Sequence, residues 1–348
     1  MAGAIAGNVL VTGGAGFIGS YLTEHLLRKG HRVTVLDNFS NGRVENIQHL
    51  LDNPMLTLVK EDLKKPTRLR RTARDCDLVF HLAANPDVRS GESHPGTHFQ
   101  ENILTTFNLL EALRKNGRPK VLVFTSTSTV YGEAAQIPTQ EDYGPLTPIS
   151  TYGASKLACE ALISGYAHTF NHRALILRLA NITGPRSNHG VIVDFVQKIR
   201  ANPRELTVLG DGNQQKSYLH VSDCVKAITH LTDGFLKSAE RVDFYNVGSS
   251  DTITVVEIAR TVAEQMNASG LRYRFTGGVN GGRGWKGDVK VMQLSIRKTA
   301  ATGWTPRYTS RQAVTLTARA LARENPAQKR GTPTATRQRP TRPGKARS

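Results

Sequence analysis

The stretch LVTGGAGFIGSYL, residues 10–22, decides the fold of this chain. Gly13, Gly16 and Gly19 follow a short apolar run at intervals of three, and Gly14 allows the same string to be read as GxGxxG. Where such a loop joins a strand to a helix, the missing Cβ atoms let backbone amides and the helix N-terminus approach a pyrophosphate. The spacing alone also fits an ordinary tight turn, so its meaning depends on the surrounding sequence.

Strand-like apolar runs alternate with helix-like segments around this loop. The runs are NVLVTG, RVTVLD, LTLVKED, CDLVFHLAA and KVLVFTST, and helices are predicted over 20–29 and 99–115. Continuous apolar runs are typical of strands covered on both faces, and their alternation with helices indicates parallel strands with right-handed crossovers. The regular alternation ends after ALILRLANITGP. We therefore predict an α/β fold, a doubly wound parallel (Rossmann) sheet with a smaller C-terminal substrate domain.

Asp37 indicates which ligand the glycine loop binds. It ends the second predicted strand, 18 residues after Gly19, and no Arg directly follows it. A carboxylate at this place accepts hydrogen bonds from both hydroxyls of an adenosine ribose and repels a 2′-phosphate. These features predict NAD rather than NADP. We assign 1–180 to an NAD-binding domain to which some later segments return, 181–324 mainly to the substrate domain, and 325–348 to a disordered basic tail.

The segment STYGASKLACEALI, residues 150–163, carries a second candidate feature. Tyr152 and Lys156 are spaced i, i+4, which places both side chains on one face of a helix. A phenol is a poor base at neutral pH, but an adjacent ammonium and a positively charged nicotinamide both favour the phenolate. With the nucleotide motif present, we predict that the pKa of Tyr152 is lowered and that the pair removes a proton from a hydroxyl while its carbon gives up hydride. Without that motif, an exposed Tyr and Lys at helical spacing would carry no such meaning.

Composition limits the remaining classes. With 348 residues and 39% hydrophobic content the chain can bury a sizeable core. No run approaches 18 apolar residues and the start lacks a basic region before an apolar one, so we predict neither a membrane span nor a secretory signal, and a cytoplasmic protein. Cys76, Cys159 and Cys224 lie far apart without a CxxC pair. We expect reduced, space-filling thiols and no metal site.

The net charge of +18 is unevenly distributed. Residues 325–348 contain seven Lys and Arg and no acid, with almost no large apolar side chain. Such a segment cannot bury enough surface to offset its ordering entropy. Either it is a solvated tail without consequence, or it adheres weakly to RNA or another polyanion through counterion release. A second basic run, 64–75, has no interleaved aromatic residues and is expected to form a solvated helix face.

Five motifs together extend these observations: TGGAGFIGS, DNFSNG, HLAA, FTSTSTVYG and YGASK. They resemble, in order and spacing, those of the extended short-chain dehydrogenases/reductases that act on nucleotide sugars, from about residue 8 to 323. The resemblance implies a cofactor site formed by Gly13, Gly16, Phe17, Ile18, Gly19, Asp37, Asn38, Phe39, Ser40, Asn41, Gly42, Asp62, Leu63, Leu82, Ala83, Ala84, Asn102, Tyr152 and Lys156. His81, at the start of HLAA, is expected to be an oriented core histidine rather than a catalytic one.

The residues before VYG bear on the type of reaction. The resemblance gives Thr127 the role of hydrogen-bonding the reacting sugar hydroxyl, with Tyr152 and Lys156 as the other catalytic residues. The dehydratases of the family carry an Asp-Glu pair directly before VYG, and its decarboxylases typically a Glu at the second position. Ser128 and Thr129 stand there in this chain. A hydroxyl replaces neither a carboxylic acid nor a carboxylate base, so both reactions lose their usual groups.

What remains is redox chemistry without net consumption of hydride, which resembles a 4-epimerase acting on UDP-glucose and UDP-galactose. Epimerases of a UDP-N-acetylhexosamine or UDP-glucuronate, and a nucleotide-sugar reductase, are the alternatives; an inactive NAD-binding regulator and an RNA-associated protein are more distant ones. The resemblance also implies a homodimer through the Tyr152 helix and the 99–115 helix. It places the nucleotide-sugar substrate on Thr127, Asn181, Val191, Ile192, Lys216, Arg283 and Asp288.

The substrate half departs from the family pattern at two places. Lys216 stands where many members have Arg, which keeps the charge but weakens bidentate contact with phosphate. In the stretch GGRGWKGDVK, Arg283 and Asp288 are five apart, and Trp285 occupies the expected Arg spacing of the family's Arg-x-x-Asp clamp. Arg283 or Lys286 is expected to reach the diphosphate; alternatively this is a glycine-rich surface loop.

Overall fold

The computed structural model describes residues 7–117 and 120–324. Its strands are β1 (Asn8–Thr12), β2 (Arg32–Asp37), β3 (Leu56–Lys60), β4 (Leu78–His81), β5 (Val121–Thr127), β6 (Arg173–Leu179), β7 (Asn181–Thr183), β8 (Glu205–Val208), β9 (Gln215–Lys216), β10 (Tyr218–His220), β11 (Val242–Val247), β12 (Ile253–Thr254), β13 (Arg272–Phe275) and β14 (Val291–Met292).

Its α-helices are α1 (Phe17–Arg28), α2 (Leu69–Thr72), α3 (Ser90–Ser93), α4 (Pro95–His98), α5 (Thr105–Lys115), α6 (Thr151–Thr169), α7 (Val191–Ala201), α8 (Val221–Lys237), α9 (Val255–Gln265), α10 (Arg297–Ala301) and α11 (Ser310–Arg323). Short 3₁₀ turns occupy 44–46, 48–50 and 128–131, and a π-helical turn, Phe99–Leu104, joins α4 to α5.

Seven strands form one parallel sheet in the order β11-β6-β5-β4-β1-β2-β3. The order reverses between β1 and β4, which creates a crevice at the carboxyl ends of these strands. Side chains alternate between two cores: Val9 and Val11 pack with α1 and α8 on one face, and Leu10 packs with α5 and α6 on the other. The predicted doubly wound Rossmann sheet is confirmed.

The later part of the chain forms small sheets beside the carboxyl edge of the main sheet. These are β7 with β10, β8 with β13, and β9 between β12 and β14. Apolar faces of α7, α9 and α11 pack together over them in a third core. After β7 the chain also returns to the main sheet, because 242–247 forms its edge strand. The boundary between 1–180 and 181–324 stays a prediction, and the predicted tail lies outside the described residues.

Two predicted helices differ in detail. The first begins at Phe17 rather than residue 20, directly behind the glycine loop. The 99–115 helix opens with the π-helical turn. Within 7–117 and 120–324, none of the helices has the length and apolar character that a bilayer span requires. In the same ranges, no group of three or more His, Cys, Asp or Glu side chains is placed to hold a metal ion, and the three cysteines are buried thiols.

Candidate active site

The glycine loop lies between β1 and α1, where the backbone itself must come close to a ligand. Gly13 has a φ of +72°, and a Cβ there would lie 2.7 Å from Ala83 N. A Cβ on Gly19 would lie 2.1 Å from Gly13 O. The first N–H groups of α1, beginning at Phe17, lack intrahelical acceptors and stand at the positive end of the helix. The loop therefore offers an anion a bare backbone and N–H donors, which is the surrounding that a pyrophosphate needs.

Asp37 lies at the carboxyl end of β2, and its carboxylate holds the glycine loop. Oδ2 accepts from Ala15 N at 3.0 Å and Oδ1 from Phe39 N at 2.8 Å. A Cβ on Gly42 would come within 2.8 Å of both oxygens, so the glycine leaves the carboxylate open to the crevice. Burial raises the pKa of Asp37, and the two backbone bonds act against this rise. The donors present and the open carboxylate fit the pyrophosphate and ribose of NAD.

A cleft of about 490 Å³ runs from Asp37 to the small sheets of the later chain. It is lined by most of the predicted site residues: Gly13, Gly16, Phe17, Ile18, Gly19, Asp37, Asn38, Ser40, Asn41, Gly42, Asp62, Leu63, Leu82, Ala83, Ala84, Thr127, Tyr152, Lys156, Asn181, Val191, Ile192, Lys216 and Asp288. The sequence motifs thus converge on one continuous cleft, although they are distributed over 13–288.

Three predicted site residues, Phe39, Asn102 and Arg283, lie outside this lining. Phe39 has a φ of +61°, and its ring faces Lys60 at 6.0 Å. Asn102 is 1% exposed, and its amide bonds within the protein. The Arg283 side chain is turned to the carboxylate of Glu133. Each of these side chains contacts another part of the protein, and the predicted roles of all three stay predictions.

Thr127 ends β5 and caps the short turn that follows. Its Oγ1 accepts from Thr129 N at 3.2 Å and lies 3.1 Å from Thr129 Oγ1. Because the backbone N–H occupies an acceptor position of Thr127, its own hydroxyl hydrogen stays available to another oxygen. Thr127, Ser128 and Thr129 all line the cleft, so this edge presents three hydroxyl side chains and no carboxylate.

Tyr152 and Lys156 lie one turn apart in α6 and both face the cleft. Burial raises the pKa of Tyr152 to about 12, and a hydrogen bond with Thr127 acts in the lowering direction. Burial also lowers the pKa of Lys156 to about 8, and its Nζ lies 4.0 Å from the centre of the Phe124 ring. In the cofactor-free protein low polarity disfavours both charged forms, and the predicted lowering of the Tyr152 pKa beside a positively charged nicotinamide stays a prediction.

His81 is a core residue, as expected from its place in β4. It is fully buried, with Nδ1 at 2.7 Å from Thr12 Oγ1 and Nε2 at 3.0 Å from Thr106 Oγ1. Burial lowers the pKa of His81 to about 3. A neutral ring with both nitrogens bonded orients the strand end and takes no part in proton transfer.

The far end of the cleft carries a charged pair and an aromatic ring. Lys216 Nζ donates to Asp288 Oδ1 at 2.5 Å, and Asp288 is 3% exposed. Trp285 lines the cleft, with Lys216 and Arg89 at 5.6 and 5.5 Å from its ring centre. Lys286, the alternative to Arg283 for the diphosphate, instead pairs with Glu92 at 3.0 Å. Asn181 donates its amide to Ser217 O at 3.1 Å.

Sequence reasoning missed part of the lining. Residues 86–89 follow β4 and line the cleft, as do Ser126, Gln214 and Trp285. The Ser126 hydroxyl, Gln214 Oε1 and Trp285 Nε1 are buried polar atoms without a partner among the described residues. The signal for 86–89 was available, because ligands bind at the carboxyl ends of the strands in such sheets and this loop directly follows HLAA. No comparable signal marks Gln214.

Comparison with known proteins agrees with this geometry. The model of the NAD dependent epimerase/dehydratase family matches residues 9–248. The chain belongs to this family. It is 36% identical over 267 residues to UDP-glucuronic acid decarboxylase 4 of Arabidopsis thaliana, which covers 74% of this chain and 57% of the plant protein. The chain thus spans little more than half the length of that relative.

Solved structures of the family extend the comparison. A UDP-galactose 4-epimerase shares 43% identity and a TM-score of 0.79, covering 90% of this chain and 98% of that one. A UDP-glucuronic acid 4-epimerase from Bacillus cereus, in complex with UDP-glucuronic acid and NAD, shares 27% identity and a TM-score of 0.80, with the same coverage. NAD is therefore the cofactor of this epimerase/dehydratase family member, and its relatives act on or bind UDP-sugars.

Proposed function

We propose that this chain catalyses the NAD-dependent 4-epimerisation of a UDP-hexose, interconverting UDP-glucose and UDP-galactose. One observation carries the proposal: Thr127, Tyr152 and Lys156 share the cleft of the glycine loop, while Ser128 and Thr129 hold the adjacent positions without a carboxylate. A proton-transfer group beside a redox cofactor, with no second acid or base, suits a reaction that oxidises and re-reduces the same carbon.

The cofactor would be held by the glycine loop, the N-terminus of α1 and Asp37. When bound there, NAD would supply the reversible hydride acceptor that oxidation and re-reduction at C4 require. The protein would contribute position, through the backbone of 13–19 and the carboxylate of Asp37, which both line the cleft.

Tyr152 would move the proton. Its phenol oxygen takes the proton of the sugar 4-hydroxyl as the carbon is oxidised, and gives it back to the 4-keto oxygen as the carbon is reduced. Thr127 would orient that hydroxyl with its own O–H. Because burial raises the pKa of Tyr152 to about 12, the phenolate needs a cation beside it, and Lys156 provides a cation of the chain itself, one helical turn away.

The nucleotide must stay anchored while the keto sugar turns over. Asn181, the first turn of α7 at Val191 and Ile192, and the Lys216–Asp288 pair line the opposite part of the cleft and would hold the UDP group. Lys216 is partly buried and pairs with the buried Asp288, which would hold its ammonium in place beside a phosphate. This division gives the sugar freedom to rotate between a fixed nucleotide and a fixed base.

Decarboxylation of UDP-glucuronate is a second candidate, because a relative of 36% identity carries that name. The alternatives of a UDP-N-acetylhexosamine or UDP-glucuronate epimerase and of a nucleotide-sugar reductase differ in substrate or hydride balance.

Purified protein is incubated separately with UDP-glucose, UDP-galactose, their N-acetyl forms and UDP-glucuronate, and the products are separated. Interconversion of the first two without added NADH supports the proposal. Carbon dioxide from UDP-glucuronate, or dependence on added NADH, contradicts it.

We further propose a homodimer. Phe99 and Phe107 on the helical segment after α4, and Phe170 at the end of α6, are 57%, 41% and 39% exposed. Large apolar side chains clustered on two adjacent helices indicate a covered face, and a second copy is the partner that the family suggests. Phe107→Glu should yield a monomer in light scattering, whereas Phe275→Glu, at a 42% exposed position in β13, should leave the dimer intact. A monomeric wild-type protein contradicts the proposal.

A further inference from the structure

Two buried polar side chains connect a cleft loop to the helix that carries the proton-transfer residue. His98 and Asn102 lie one turn apart on the helical segment after α3, and each is 1% exposed. Both reach from the loop after β4 to α6. We call these connections the His98 bridge and the Asn102 bridge.

The His98 bridge joins Asp87 to Thr151. His98 Nε2 lies 2.9 Å from the Asp87 carbonyl, and Nδ1 lies 2.9 Å from Thr151 Oγ1. A backbone carbonyl only accepts, so Nε2 carries the hydrogen and, in the neutral ring, Nδ1 accepts from the Thr151 hydroxyl. The space is tight: a Cβ on Gly91 would lie 2.0 Å from Thr151 Oγ1 and 2.9 Å from His98 Cε1.

The Asn102 bridge runs parallel to the first. Asn102 Oδ1 accepts from Asn85 N at 2.7 Å, and its Nδ2 donates to Ser155 Oγ at 2.9 Å. The loop residues Asn85 and Asp87 are two apart, and the α6 residues Thr151 and Ser155 are four apart. The two bridges therefore fix both the position of the loop and its register along α6.

The fixed elements carry the reacting groups. Tyr152 follows Thr151, and its ring lies 5.7 Å from the His98 ring in an edge-to-face arrangement. Asp87 and Arg89 of the bridged loop line the same cleft as Tyr152. The His98 ring is buried and both of its hydrogen bonds are partly buried, so their loss would leave the Asp87 carbonyl and the Tyr152 ring free to shift.

We propose that His98 is a positioning residue: through Asp87 and Thr151 it holds the phenol of Tyr152 in register with the loop that closes one side of the cleft. The inference rests on the proposed function in one respect, that Tyr152 transfers the proton. Small displacements of a reacting group reduce turnover strongly while leaving binding by distant groups intact. The bridge should therefore act on kcat and not on attachment of NAD or the nucleotide.

The test uses the NAD-loaded enzyme and the UDP-sugar that the product assay identifies. His98→Phe keeps a ring and removes both hydrogen bonds, and Thr151→Val removes the hydroxyl of the same bridge. Each should lower kcat about tenfold or more, with KM and bound NAD changed less than about twofold. Because both changes break one bridge, the double variant should lose no more than His98→Phe alone. His98→Gln, which can still donate to the Asp87 carbonyl, should retain more turnover than His98→Phe.

His94→Phe is the matched control, since His94 lies four residues earlier, is exposed, and its ring bonds only the neighbouring Ser93 hydroxyl among the described residues. It should keep wild-type kcat. Unchanged kcat in both single variants overturns the proposal, as do additive losses or losses explained by missing NAD. If His98→Phe does not fold, Thr151→Val and His98→Gln decide the outcome.

An active Tyr152→Phe enzyme refutes the proposed function, whereas an inactive Tyr152→Phe beside a fully active His98→Phe refutes the bridge alone.

Discussion

The buried ammonium of Lys156 should lower the free energy of unfolding of this enzyme, although its chemistry requires that group. Its side chain is 3% exposed, and burial lowers the pKa from 10.5 to about 8. Each pKa unit is worth roughly 1.4 kcal/mol, so the charged form costs the folded, cofactor-free protein about 3 kcal/mol at pH 7. Lys156→Met removes the charge with little change in volume. The variant should therefore unfold at higher denaturant concentration than the wild type at pH 7, and it should lack turnover.

The sign of the pH dependence gives the sharper test. The folded-state pKa is the lower one, so between about pH 8 and 10.5 the unfolded chain holds a proton that the folded chain has lost. The free energy of unfolding of the wild type should rise with pH in this window, and the difference from Lys156→Met should shrink. Urea unfolding of NAD-stripped protein at several pH values measures both. Equal pH slopes in wild type and variant would refute the reasoning, and Lys226→Met, at an exposed position of α8, should behave as wild type.

Three further predictions concern the cofactor and the reaction. Tyr152→Phe should lower turnover at least about a hundredfold with little change in bound NAD, because only the acid/base group is lost. Thr127→Val should lower turnover by a smaller factor. A Tyr152→Phe enzyme that keeps more than about a tenth of normal turnover contradicts the assignment of Tyr152. Binding titrations should show no preference for NADP, since Asp37 repels a 2′-phosphate. A chain ending at residue 324 should keep its turnover and NAD while losing affinity for polyanions in a binding assay; a large fall in turnover shows that the chemistry depends on the removed residues.

The sheet and the glycine loop can be predicted from the sequence because their signals are local. Apolar runs such as 121–127 need only their own pattern to indicate a doubly covered strand, and strand alternation then fixes the parallel order. Gly19 is required by contacts within the same loop and Gly13 by its positive φ, although a Cβ on Gly13 would also meet Ala83 after the neighbouring strand β4. Asp37 follows from the same motif at a short separation. These features hardly depend on the rest of the molecule.

Contacts between distant segments escape this reasoning. Burial raises the pKa of Tyr152 and lowers that of Lys156 in the cofactor-free protein, and spacing on a helix reveals that the two are neighbours but not that both are buried. Asn102 turns from the cleft because Asn85 and Ser155, far apart in the chain, meet its amide. The Arg283 side chain donates a hydrogen bond to Glu133, which lies 150 residues away in the sequence. For Asn102 and Arg283, a partner distant in sequence determines the direction of the side chain.

The type of reaction is a separate question from the fold, and few positions bear on it. The family model covers 9–248, which includes the entire glycine loop and six of the seven sheet strands in full, so overall identity mainly reflects the shared scaffold. A decarboxylase and epimerases can therefore be similarly close to one chain. At 128 and 129 the side chains are hydroxyls, and Thr129 Oγ1 lies 3.1 Å from Thr127 Oγ1. The Thr129 hydroxyl therefore contacts Thr127, and a hydroxyl supplies neither an acid nor a base near neutral pH. The residues at 128 and 129 support the proposed 4-epimerisation more directly than the name of a decarboxylase relative argues against it.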